Sequence, residues 1–120
     1  MPMPDLNATK WTKLASGLEM SDAKEGTGDA VKPGATVTVH YTGWLTDGKE
    51  FDSSVARGKP ATFPLSGVIK GWQEGIPGMK PGGVRLLRIP AALGYGKAGY
   101  PPDIPGDATL VFEVQMISAK

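Results

Sequence analysis

Apolar and polar positions alternate most clearly over residues 35–42, where Val37, Val39 and Tyr41 fall on one side and Thr36, Thr38, His40 and Thr42 on the other. Successive side chains of an extended chain point to opposite faces, so the pattern predicts a strand with one buried face and His40 on the polar one. Residues 109–117 repeat it, with Leu110, Phe112, Val114 and Met116 on one face and Glu113 and Gln115 on the other. Between them, 84–89 is an apolar-rich run stopped by Pro90 and reads as a further strand. Asp47-Gly48 predicts a hairpin turn that joins the first strand to the segment around Phe51, and Pro81-Gly82 marks another turn. Helical spacing is found once: Ile69, Trp72 and Ile76 recur at i, i+3 and i+7 ahead of Pro77. Gly71 and Gly75 weaken that helix, so over 68–76 it is predicted to be short and held by packing. Antiparallel strands with one short helix make an α+β domain. Residues 1–16 show neither period and read as an N-terminal extension, with the domain expected over 17–120.

Composition narrows the function. The 17 Gly and 11 Pro among 120 residues would suit a disordered chain, but the interspersed Val, Ile, Thr and aromatic residues indicate one folded, turn-rich domain. A formal net charge of +1 offers no field that would gather nucleic acid or an anionic membrane surface, so neither is an expected partner. With no Cys and one His, the chain has no thiol chemistry and no partner residue for a His-based metal site or triad; no metal and no cofactor are expected. The start, Met-Pro-Met-Pro-Asp-Leu-Asn, lacks a basic head and apolar run, which leads to an expected cytoplasmic location.

Two phosphate-loop look-alikes fail on context. Residues 94–99 fit GxGxxG, but Tyr100-Pro101-Pro102 follows where a dinucleotide site needs a helix N-terminus. Residues 43–49 fit most of GxxxxGK, but Glu50 stands where a Mg²⁺-binding Ser or Thr belongs, and hairpin geometry explains the glycines better. Ser53-Ser54 has no base or nucleophile elbow around it and reads as polar residues after a strand.

Five runs remain: Val39-His40-Tyr41-Thr42-Gly43, Asp47-Gly48-Lys49-Glu50-Phe51-Asp52-Ser53-Ser54, Val68-Ile69-Lys70-Gly71-Trp72, Leu93-Gly94-Tyr95-Gly96 and Ala108-Thr109-Leu110-Val111-Phe112-Glu113-Val114. In order and spacing they resemble the FKBP family of peptidyl-prolyl cis/trans isomerases in its single-domain, bacterial-style form. The resemblance implies a twisted antiparallel β-sheet wrapped around one short α-helix, with the active site in the hollow between them. It implies catalytic roles for Asp52, Tyr95, Ile69 and Phe112. Tyr41, Phe51, Arg57, Phe63, Val68, Trp72, Tyr100 and Ile104 would bind substrate, with Trp72 as the floor under the proline ring and Arg57 joining Asp52 and Tyr41. It further implies proline-containing peptides and unfolded proteins as partners, tacrolimus- or rapamycin-like macrolides as ligands, and a monomer. Such a site suits the reaction, because the barrier of about 18–20 kcal/mol to X–Pro rotation is amide resonance and no covalent bond needs breaking. The alternative is a proline-segment binding module or chaperone with little turnover. Ala61, Tyr100 and Asp103 depart from the family pattern at rim positions, where they would alter sequence preference and macrolide affinity.

Overall fold

A computed structural model describes residues 2–120. The elements run β1 (Thr12–Lys13), β2 (Glu19–Lys24), β3 (Thr36–Leu45), β4 (Glu50–Ser53), α1 (Ser54–Arg57), β5 (Ala61–Pro64), α2 (Lys70–Gly75), β6 (Val84–Ile89) and β7 (Leu110–Ala119). One antiparallel sheet contains all seven strands in the order β1-β2-β6-β7-β3-β4, with β5 pairing the first half of β3. Its spine is β3 against β7, paired from Val37↔Ala119 to Leu45↔Leu110. This is the α+β architecture expected from the sequence, and the predicted strands, hairpin and helix fall where the periodicity placed them.

The hairpin turns at Gly48, whose φ of 94° is the left-handed conformation that glycine adopts without a Cβ penalty. Helix α2 lies across the inner face of the sheet. A Cβ on Gly71 would stand 2.6 Å from Ile89 Cγ2, and one on Gly75 2.7 Å from Leu87 Cδ2. The two glycines that weaken the helix therefore let it approach β6 more closely than any other residue would. Beneath its C-terminal end crosses the buried Arg85, which donates from Nη1 to the Gly75 carbonyl (2.7 Å) and from Nε to Asp22 Oδ1 (2.7 Å). A cation there meets the unpaired carbonyls and negative dipole end of α2, and the Asp22 carboxylate compensates the buried charge.

Three features differ from the sequence reading. The outer face of the spine is polar only in part: Thr42, Trp44 and Val111 on that side are buried, as are the inner residues Val37, Val39 and Phe112. On that face Arg88 lies opposite Val111, and the Trp11 ring covers its guanidinium at 4.6 Å. Second, part of the segment read as an extension joins the sheet, where β1 pairs Thr12↔Met20 and Lys13↔Glu19. Third, β2, α1 and β5 carry too few residues, or too little alternation, to register as periods.

Candidate active site

Side chains of one parity on β3 and β7 point inward, and this delivers Tyr41 and Phe112 to the inner face of the sheet. Gly43 lies between them in the pairing, opposite Phe112, and its missing side chain is what admits the rings: a Cβ there would sit 2.6 Å from Phe51 Cζ and 2.7 Å from Phe112 Cε1. Phe51 and Phe112 consequently meet edge to face with centroids 5.5 Å apart. The sequence reading gave Gly43 to the hairpin; Gly48 makes that turn, whereas Gly43 makes room for an aromatic pair.

Helix α2 brings Trp72 down onto the same face. Its indole is edge-packed by Tyr41 (5.3 Å), Phe63 (5.7 Å) and Phe112 (5.3 Å), the T-shaped geometry that aromatic quadrupoles favour. Trp72 Nε1 is buried and has no hydrogen-bond partner among the described residues. The hollow above it has a volume of about 320 Å³ and is lined by Tyr41, Phe51, Asp52, Phe63, Gly67, Val68, Ile69, Trp72, Tyr95 and Phe112. A wider cleft of about 730 Å³ between the β3–β4 turn and residues 105–109 has no aromatic lining and carries mixed charges, Lys13, Glu19, Asp47, Arg88 and Asp107.

One wall of the hollow is polar. Tyr41 OH donates to Asp52 Oδ2 at 2.6 Å, Arg57 Nη2 donates to the Tyr41 oxygen at 3.0 Å, and Arg57 Nη1 pairs with Asp52 Oδ1. Helix α1 makes this triangle possible. Ser53 Oγ caps its start by accepting from Ala56 N, Gly58 ends it at φ 78°, and Arg57 in the last turn reaches back over the Tyr41 ring. Burial, and then the hydrogen bond to Asp52, push the Tyr41 phenol above its ordinary pKa. The hydrogen bonds that Arg57 donates to Tyr41 and Asp52 raise its guanidinium too, so the Arg57 cation and the neutral Tyr41 hydroxyl persist across physiological pH.

At the rim, Ile69 precedes α2 with extended backbone and no side-chain cap; its carbonyl accepts from Trp72 N (3.0 Å) and Gln73 N (3.1 Å), while its own N–H bonds to no described residue. Tyr95 is raised in pKa by burial and by the negative Asp52, and its hydroxyl bonds to no described residue. Both donors border an apolar cavity, which is where a bound carbonyl would meet them.

Nine of the twelve predicted site residues line the hollow. Arg57 stands behind Asp52 and Tyr41. Tyr100 is mostly exposed and touches the site through its ring, 5.5 Å from that of Tyr95. Ile104 lies in the core instead of the wall and clamps the base of the 100–104 loop, exchanging two backbone hydrogen bonds with Tyr100 (2.8 and 2.9 Å). Of the departures, Ala61 packs at the core's margin on β5 and Asp103 is exposed at the loop tip. Gly43 and Gly67 were not read as part of the site, and nothing in the pattern around them sets them apart from turn glycines.

The family model described as FKBP-type peptidyl-prolyl cis-trans isomerase matches residues 28–117. FK506-binding protein 4 of Rhizopus delemar is 55% identical over 113 residues, covering 92% of this chain but only 29% of the relative. FK506-binding protein of Neisseria meningitidis serogroup B is 50% identical over 103 residues, 84% of this chain and 94% of the relative. Among solved structures, FkpA from Escherichia coli superposes with a TM-score of 0.87 at 47% identity, over 92% of this chain and 51% of that one. AtFKBP13 does so with a TM-score of 0.86 at 39% identity, over 92% and 99%. The family match spans most of the residues that build the sheet, α2 and the aromatic hollow, and on that ground the chain belongs to the FKBP-type peptidyl-prolyl cis-trans isomerases.

Proposed function

We propose that this chain accelerates cis/trans rotation about Xaa–Pro bonds by seating the proline ring on Trp72 and holding the flanking carbonyls at the rim. The observation that carries the reading is the combination in one hollow of an aromatic floor, Trp72 packed by Tyr41, Phe63 and Phe112, with the Ile69 N–H and the Tyr95 hydroxyl at its edge. In the twisted transition state the amide loses resonance, its nitrogen pyramidalises and its carbonyl becomes less dipolar. A low-dielectric wall disfavours the planar, polar ground state relative to that species, so apolar rings contribute to rate as well as to binding. In this reading the Ile69 N–H and Tyr95 OH hold substrate carbonyls and keep the bond oriented, while Asp52, fixed by Tyr41 and Arg57, sets the field beside the rotating amide. Phe112 closes the wall against which the ring turns.

The proposal extends to proline-containing peptides and unfolded segments as substrates, to tacrolimus- or rapamycin-like macrolides as competing ligands, to a monomer, and to a cytoplasmic location. The test is exchange spectroscopy on an Xaa–Pro peptide with the folded chain, with and without excess rapamycin. Acceleration abolished by the macrolide is the expected result. Peptide binding without faster exchange would overturn the enzyme reading in favour of a proline-segment binding module. Gel filtration tests the monomer, and fractionation of the producing cells tests the location.

A further inference from the structure

We propose that Ser54 is a positioning residue of this site: its hydroxyl replaces a missing rung of the sheet at Tyr41 and so sets the backbone from which the polar wall is built. The proposal rests on the isomerase reading above.

Strand β4 pairs with β3 as far as Ser53, opposite Thr42, and the chain then turns into α1 at Ser54. A regular antiparallel ladder would next pair Tyr41, whose N–H and C=O face the β4 side, with a residue that returns both hydrogen bonds. No such residue exists, because the chain has become helical. The Ser54 side chain supplies both bonds instead: Oγ accepts from Tyr41 N at 2.7 Å and donates to Tyr41 O at 3.3 Å. Ser54 is fully buried, so water has no access to make either bond in its place.

A hydroxyl has one proton and two acceptor positions. With the proton directed to Tyr41 O and one acceptor position taken by Tyr41 N–H, the second faces His40 Nδ1 at 3.0 Å, and in this arrangement His40 carries the Nδ1 proton and donates. The single histidine is thus a structural support of this junction. Ser53, one residue earlier, meets Thr42 Oγ1 at 2.9 Å and caps α1 through Ala56 N. The pair read from the sequence as polar residues after a strand divides the work: Ser53 starts the helix and Ser54 finishes the strand. Both fix the path that carries Arg57 back to the Tyr41 oxygen.

Tyr41 in turn touches both halves of the site, Trp72 through its ring edge and Asp52 through its hydroxyl. A hydroxyl outside the hollow therefore controls both the floor and the polar wall through one main-chain position.

The test compares Ser54→Ala with wild type and with Val31→Ala, a core truncation outside the site, using exchange spectroscopy for kcat/KM and amide hydrogen exchange for local protection. Ser54→Ala is expected to lower kcat/KM by on the order of tenfold, the rate equivalent of one buried hydrogen bond. It should also speed exchange at the Tyr41 amide well beyond that at Leu87 or Val114. Val31→Ala should lose stability while keeping wild-type kcat/KM. Ser54→Cys keeps the volume and weakens the bonds; it is expected to fall between wild type and Ser54→Ala, and replaces the latter if that variant does not fold. Wild-type kcat/KM in the Ser54 variants, or an exchange increase spread evenly over the sheet, would overturn the positioning role and leave the isomerase reading intact. An inactive wild-type chain would overturn both.

Discussion

Trp72 and Tyr95 face the same hollow, yet Trp72 is 4% exposed and packed by three rings, while Tyr95 is 36% exposed and touches one, the still more exposed Tyr100. The floor is a piece of the hydrophobic core that happens to face a cavity. The rim is a set of turns: Gly96 and Gly99 at positive φ, and a loop clamped where Tyr100 and Ile104 exchange hydrogen bonds. Floor residues are therefore held by the same free energy that folds the chain, and their geometry cannot change without cost to stability. Rim residues contribute little to folding and are free to differ in what they contact.

That contrast can be broken by substitution. Trp72→Ala is expected to cost about 3–5 kcal/mol of stability, as a large buried side chain does, and to abolish macrolide binding; chemical denaturation and titration calorimetry check the two together. Retained affinity in a folded Trp72→Ala variant would remove Trp72 from the site. Gly71→Ala comes next. Helix propensity alone would favour it by about 1 kcal/mol, but the new methyl would meet Ile89 at 2.6 Å, and overpacking of this kind costs about 1–3 kcal/mol. The expected outcome is a lower denaturation midpoint, and a raised midpoint would show that α2 can slide.

Glu113 sharpens the comparison from the outer face of β7. Burial raises its carboxyl above the ordinary glutamate range, so the folded protein holds that proton more tightly than the unfolded chain. The associated stability is present below the unfolded pKa and is lost as pH rises through the folded one. Glu113→Gln is therefore expected to raise the melting temperature at neutral pH, with the gain shrinking in acid and kcat/KM unchanged; melting scans at several pH values check it. The smallest effect on stability is expected at the rim, where Tyr100→Ala should shift it by no more than about 0.5 kcal/mol while changing relative rates among peptides that differ beside the proline. Unchanged selectivity would take Tyr100 out of substrate choice.

Legibility in the sequence followed the same division. β3, β6, β7 and α2 bury one face against the core, and burial leaves a period that can be read along the chain. Phe112, Trp72 and Tyr41 were visible as members of such periods, but nothing in spacing distinguishes a core ring from a cavity ring, and only the family resemblance assembled them into a pocket. α1 has four residues and owes its existence to the Ser53 cap and to Arg57 finding Tyr41 and Asp52, which are tertiary events. β2 is half exposed and finds its register on β6, so its own residues barely alternate. The role of Ser54 leaves no signal, because a serine that substitutes for a strand partner is identical, in sequence, to one facing water.

The two-residue strand β1 has a consequence for where this chain can be cut. It covers the beginning of β2, Glu19 and Met20, and leaves bare the end that carries Asp22 and Lys24, whose charges discourage another strand from docking. A fragment starting at Gly17 would retain every residue of the hollow, yet it would bare the strand backbone of Glu19 and Met20 on that border and strip Trp11 from Arg88. Such a minimal domain is expected to keep the hollow in dilute solution and to associate edge to edge when concentrated.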